Sequence, residues 1–387
     1  MKNAIQLFKP KYRNKEILKE IEECLNIGWT GLGYKTIEFE EMFKRYADIP
    51  NAHFVSSNTS GLHIALKILK DVNKWKDGDE VITTPITFIS TNHSILYNNL
   101  KPVFADVDDS LCLDLDSIKS KITKKTKAVM FVGIGGNMGQ YQNILSFCKN
   151  NGLKLILDAA HCMGTKANRG YEGVVLAETQ VGWDADVTVY SFQSVKNLPT
   201  ADSGMICFEN KDYDILARKL SWLGIDKDTY KRTSQKGNYK WDYDVIDLGF
   251  KSHGNSIMAS MAKVALKYLD EDNENRRRIS NMYDTGLNER IIKIKHNPMY
   301  KSSKHLYQIR VNNRDKIMEY LNDHNIFPGV HYKDNTQYDM YSYGYGTCPN
   351  AHKISEEIIS LPLHLFLSED DVKYVIEKVN DAVNIWN

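Results

Sequence analysis

From residue 51 onward, short apolar runs alternate with stretches whose apolar residues recur every three or four positions. The runs at 53–56, 80–83, 102–106, 128–133, 154–158, 185–192 and 204–208 have the length and composition of buried strands. Between them, 61–69, 91–98, 115–122 and 142–150 carry helical spacing. Upstream, Ile17, Leu18, Ile21, Cys24 and Leu25 fall on one helical face, and Gly28, Gly31 and Gly33 around Trp29 end that helix. A second helix begins near Ile37.

Strand and helix repeated this often predict an α/β domain with a largely parallel sheet and helices on both faces. Ligands of such sheets sit outside the carboxyl ends of the strands. The segment 221–248, rich in Lys, Asp, Tyr and Trp, reads as an irregular connection. Helical spacing resumes at 255–270 and continues over 276–290, with Arg276, Arg277 and Arg278 expected on a solvated face. A strand at 305–311 and helices at 316–324 and 368–380 complete a smaller α+β unit. The expected division is a large domain at 1–245 and a small one at 246–387.

Composition narrows the function. The 387 residues hold 50 Lys+Arg against 49 Asp+Glu, a net charge of +1, so no basic excess draws the chain to nucleic acid or an anionic membrane. No apolar stretch approaches the ~18 residues of a membrane span, and the start of the chain does not read as a secretory signal. The six cysteines never form a C-x-x-C pair, which argues against structural zinc or a disulfide framework and for buried thiols in the cytoplasm.

Three strand ends carry polar residues. The first is Val55-Ser56-Ser57-Asn58-Thr59-Ser60-Gly61, where hydroxyls and an amide open a helix; such a turn either caps the helix or holds a phosphate on its free N–H groups. The second is Leu155-Ile156-Leu157-Asp158-Ala159-Ala160-His161, whose carboxylate can cap a loop, hold a protonated heteroaromatic nitrogen or join a metal pair. The metal reading lacks a third ligand. The third end runs through Tyr190-Ser191-Phe192 to Lys196, and a lysine desolvated there can attack a carbonyl. A phosphate cradle, a buried carboxylate and a reactive amine match the phosphate, pyridine nitrogen and aldehyde of pyridoxal 5′-phosphate.

These segments, with Pro85-Ile86-Thr87-Phe88-Ile89-Ser90-Thr91, Lys101-Pro102-Val103-Phe104-Ala105-Asp106, Val330-His331-Tyr332 and Ser360-Leu361-Pro362-Leu363-His364, stand in a fixed order along nearly the whole chain. In that order the chain resembles the DegT/StrS family of pyridoxal-phosphate sugar aminotransferases. The resemblance implies the fold type I architecture of aspartate aminotransferase. It implies that Lys196 carries the cofactor and shuttles protons, and that Asp158 pairs with the ring nitrogen. Phe88 would stack on one ring face and His161 would lie near the 3-hydroxyl. Asn58, Thr59 and Ser191 would hold the phosphate. The resemblance further implies a homodimer with shared active sites, to which Lys251 or His253 would contribute the neighbour's phosphate contact. L-glutamate is the family's usual amino donor.

The chain departs from the family pattern in three places. Thr200-Ala201-Asp202-Ser203-Gly204 stands where Gly-Glu-Gly-Gly is usual, and Lys333-Asp334-Asn335-Thr336-Gln337-Tyr338 replaces a Pro-containing run ending in His. Lys251-Ser252-His253 replaces Asn-Tyr-Arg. All three lie where the acceptor should bind. The expected acceptor is a keto sugar, nucleotide-linked, for surface polysaccharide or capsule. The alternative is a small phosphorylated ketone such as dihydroxyacetone phosphate, with Lys240, Lys251 and Lys333 as phosphate contacts. A sugar dehydratase is opposed by Lys196, where that branch has His, and a regulator without turnover is the remaining rival.

Overall fold

The computed structural model describes residues 4–171, 174–226 and 243–386. Seven strands form the central sheet: β1 (Asn51–Val55), β2 (Glu80–Thr83), β3 (Lys101–Phe104), β4 (Thr126–Val132), β5 (Lys154–Asp158), β6 (Val187–Ser191) and β7 (Gly204–Phe208). Their order is β1-β7-β6-β5-β4-β2-β3. Only β7 runs against its neighbours in this sheet. Both faces are covered, so the strands are apolar throughout rather than alternating. In β4, Val129 and Phe131 enter one apolar cluster while Ala128 and Met130 enter another on the opposite face. In β5, Leu155 and Leu157 face the first cluster and Ile156 the second.

The helices of the first 220 residues include α1 (Asn14–Ile27), α2 (Tyr34–Ala47), α3 (Asn58–Val72), α4 (Ile89–Leu96), α5 (Leu115–Lys121), α6 (Tyr141–Asn150) and α7 (Lys211–Leu220). Phe39 and Phe43 of α2 and Ile144 of α6 pack on one face; Leu62, Ala65 and Leu69 of α3 and Leu220 of α7 pack on the other. Gly61 lets α3 lie close on the sheet, because a Cβ there would come within 2.6 Å of Val189. A buried carboxylate ties α2 to the sheet: Glu40 accepts the Phe54 N–H at 2.7 Å, meets His53 Nδ1 at 3.1 Å and pairs with Arg218 at 2.8 Å.

The expected pair of helical stretches is one continuous helix, α8 (Ser256–Gly286), of 31 residues. Its first half puts Ala259, Ala262, Leu266 and Leu269 into the same cluster as α2. Its second half puts Ile279 and Tyr283 into a third cluster with β8 (Tyr307–Arg310), β9 (Ile358–Leu361), α9 (Arg314–Asp323) and α11 (Glu369–Trp386). Residues Ala351 and Ile354 of α10 (Pro349–Glu357) return to the first cluster.

Three details differ from the sequence reading. The helix expected at 61 begins at Asn58, because the Ser57 hydroxyl caps it by accepting the Ser60 N–H at 3.1 Å. Two further strands, Lys166–Tyr171 and Val174–Gln180, pair antiparallel where no strand was expected. Arg276 is not on a solvated face: it is buried, its guanidinium donates to Leu363 O at 3.0 Å, and burial pushes its pKa down to about 10. Arg278 does face outward and pairs with Glu369. All six cysteines are free and buried. Much of the 221–248 connection, including Lys240, lies outside the described residues. Among the described residues no helix is long and apolar enough to cross a membrane.

Candidate active site

The carboxyl ends of β1, β5 and β6 meet around a cavity of about 420 Å³. At the first, Ser57 and Ser60 cap each other reciprocally, each side-chain oxygen accepting the other's N–H at 3.1 Å. The backbone N–H groups of Asn58 and Thr59 stay outside that exchange, at the positive end of a helix dipole. Strand β7 passes directly beneath this turn. A Cβ on Gly204 would stand 2.8 Å from Asn58 N and 2.7 Å from Tyr190 O, so any other residue would force the turn off its strand. Ser191, at the end of β6, lines the cavity, as does Thr59.

Asp158 ends β5 with its carboxylate buried and held by three donors. Thr91 Oγ1 donates to Oδ2 at 2.7 Å, while Asn58 Nδ2 (3.2 Å) and Ala160 N (3.1 Å) donate to Oδ1. Burial outweighs these bonds and raises the carboxyl pKa above its ordinary value. A cationic N–H against it would favour the ionised form again. The second Asn58 amide hydrogen goes to Val189 O at 3.0 Å. Its side chain therefore braces Asp158, and only its backbone N–H remains for an anion.

Lys196 lies in the loop after β6, fixed by its own N–H to Gln193 O at 2.8 Å. Burial lowers its pKa to about 8, with the Asp158 charge opposing. Of the described residues lining the cavity, it alone is a lysine or arginine.

The far wall is aromatic. His161 Nδ1 accepts the Gly135 N–H at 3.1 Å, which fixes the neutral ring as the Nε2–H tautomer. That nitrogen lies 3.2 Å from the Tyr332 hydroxyl. Burial, with Lys196 and His331 adding to it, holds His161 well below its usual pKa. Gly135 reaches this position at φ +62°, and a Cβ on it would crowd Gln308 Oε1 at 3.0 Å. Phe88, just before α4, lines the cavity and leaves 60% of its surface exposed.

The structure thus brings Asn58, Thr59, Phe88, Asp158, His161, Ser191 and Lys196 to one cavity. Lys251 is not among its lining residues; its ammonium sits 3.2 Å from the centre of the Trp222 ring. Lys333 likewise lies outside the lining, 5.0 Å from the Tyr338 ring centre. In the sequence Thr91 stands only within a motif and His305 only as the first residue of an expected strand. Both line the cavity, and neither shows a local signal, since their partners are far away along the chain.

A helix-start turn whose Asn58 and Thr59 N–H groups lie outside its capping bonds, a buried carboxylate and a desolvated lysine around one cavity fit pyridoxal phosphate. They define a pyridoxal-phosphate-dependent aminotransferase on the fold type I scaffold. The family model described as the DegT/DnrJ/EryC1/StrS aminotransferase family matches residues 11–380, and the chain belongs to that family. It is 32% identical to the spore coat polysaccharide biosynthesis protein SpsC of Bacillus subtilis, over 95% of either chain. It is 29% identical to the dTDP-4-dehydro-2,3,6-trideoxy-D-glucose 4-aminotransferase of Saccharopolyspora spinosa, over 98% of this chain and 97% of that one. The solved structure of Streptococcus pneumoniae Spr1654 in its PMP-form superposes with a TM-score of 0.86 at 27% identity, covering 98% of this chain and 99% of that one.

Proposed function

We propose that this aminotransferase takes an amino group from L-glutamate and places it on a keto sugar carried by a nucleotide. The step would serve surface polysaccharide assembly in the cytoplasm. The observation that carries the acceptor class is the cavity lining, where Thr87, Ser90, Gln193, His331 and Tyr332 offer uncharged polar groups. Such groups suit sugar hydroxyls. A small phosphorylated ketone would hold its phosphate beside the keto carbon, inside a lining whose one Lys or Arg, among the described residues, is Lys196, whereas the sugar ring of a nucleotide-linked acceptor would keep the diphosphate away from that lining. The names of the two relatives, one in coat polysaccharide biosynthesis and one acting on a dTDP-sugar, point the same way.

When bound, pyridoxal phosphate supplies an electrophilic carbon and an electron-withdrawing ring. The Asn58 and Thr59 N–H groups and Ser191 would hold its phosphate. Asp158, kept in place by Thr91, Asn58 and Ala160, would keep a proton on the ring nitrogen. Phe88 would cover one ring face, and His161 would direct its Nε2–H toward the ring oxygen. Lys196, lowered to about 8, can lose its proton near neutral pH, act as a nucleophile and then move a proton to and from the substrate carbon. Lys251 we assign to a second copy's cavity, which makes the working unit a homodimer.

Adding L-glutamate to the yellow holoenzyme should replace its visible band with the near-ultraviolet band of the amine form. Nucleotide-linked keto sugars, tested beside dihydroxyacetone phosphate, should restore the yellow form. Restoration by dihydroxyacetone phosphate alone would sink the sugar reading. Borohydride should attach the cofactor irreversibly to the native protein but not to a Lys196→Ala variant.

A further inference from the structure

The residue after the lysine is tied to an imidazole that sequence reasoning gave no role. Asn197 is buried, and its amide donates to Asn273 Oδ1 at 2.7 Å and to Ser303 O at 2.9 Å. With both hydrogens committed, its Oδ1 can only accept, and it faces His305 Nδ1 at 2.8 Å. The proton of a neutral His305 is therefore on Nδ1.

The same imidazole also abuts the other wall of the cavity. Its ring lies 4.4 Å from that of His161, centre to centre, and stacks on Phe8 at 5.6 Å with 11° between planes. Its backbone N–H donates to Gly135 O at 3.1 Å, and the Gly135 N–H is the donor that fixes His161. Ser303, two residues earlier, donates through its hydroxyl to His161 O at 2.8 Å. Burial, reinforced by His161, Lys196, Arg276 and His331, keeps the His305 ring neutral well below its usual range.

We propose that His305 is a positioning residue that sets Lys196 in register with His161, by holding Asn197 through its Nδ1–H while its ring packs tilted against the His161 ring. This deepens the assignment of Lys196 as the cofactor-bearing amine and rests on it. The lysine loop and the imidazole wall come from segments separated in sequence, and His305 touches both. Loss of its hydrogen bond leaves Asn197 Oδ1 buried without a donor and frees the loop to shift. A shift of the amine by about 1 Å can cost on the order of 100-fold in rate.

Two variants separate its two contacts. His305→Phe keeps a flat ring against Phe8 and His161 but has no donor; His305→Asn keeps an N–H near the Nδ1 position but gives up the stack. Stripped of cofactor and given pyridoxal phosphate, the Phe variant should develop its visible band at least about tenfold more slowly than the native protein. Its cofactor circular dichroism should change as well, and the Asn variant should recover most of the rate. Equal rates in the native and Phe proteins, or equal slowing in both variants, would overturn the proposal. The nitrogen chemical shifts of His305 in the native holoenzyme give a test without any variant: the Nδ1–H form is required, and an Nε2–H form or an imidazolium refutes it. If the native protein attaches no cofactor at Lys196, the Lys196 assignment itself falls and this inference with it.

Discussion

The Thr91 hydroxyl donates to Asp158 Oδ2 at 2.7 Å, joining the start of α4 to the end of β5. Removing that hydroxyl withdraws a bond to a charged group, worth about 1.5–3 kcal/mol. Thr91→Val should therefore raise the Asp158 pKa further and weaken pyridoxal phosphate binding by roughly tenfold or more. The deficit should grow as pH falls, because the carboxylate is the form that binds. Absorbance titration of the cofactor at several pH values measures this, and Thr91→Ser should recover the affinity.

Replacing Asp158 by Asn removes the charge but keeps the shape. The cofactor should still become reducible onto Lys196, while the single-turnover rate with L-glutamate falls by about 100-fold or more. An undiminished rate would show that no negative charge is needed at the ring nitrogen.

Burial sets the pH at which Lys196 reacts. A lysine with its ordinary pKa near ~10.4 stays protonated through neutral pH. Here the amine loses its proton at about 8, so the rate of cofactor attachment to the apoprotein should rise with pH and level off above about 8. A stopped-flow pH series that keeps climbing to 10 contradicts the desolvated site.

Glu40 governs stability rather than chemistry. Burial disfavours its charge, yet Arg218 and His53 hold its pKa below the ordinary value. The folded pKa being the lower one, its stabilisation is present above the unfolded value of about 4.3 and is lost as pH falls through the folded value. Glu40→Ala should cost about 3 kcal/mol at neutral pH, since it strands the Phe54 N–H and His53. Urea unfolding should show the difference between variant and native protein shrinking toward pH 3.

Much of this was legible in the chain itself. Strands 80–83 and 154–158 were read at their observed bounds because the sheet is covered on both faces and leaves unbroken apolar runs. Asp158 and Lys196 stand out because the first ends such a run and the second lies in the loop after one. The paired strands 166–171 and 174–180 show no period-2 alternation: the first is mostly polar, and the second groups Val174, Val175, Leu176 and Ala177 ahead of Glu178, Thr179 and Gln180. The burial of Arg276 depends on Leu363, and the double use of the Asn58 amide on Asp158 and Val189. No local pattern records a partner a hundred residues distant. His305 escaped notice for the same reason: its partner Asn197 is 108 residues away.

Helix α8 serves two apolar clusters with one unbroken rod, 31 residues and so about 46 Å long. Neither cluster can come apart without stripping half of that rod. Heat or denaturant should therefore dismantle the molecule in a single cooperative collapse, with no surviving half.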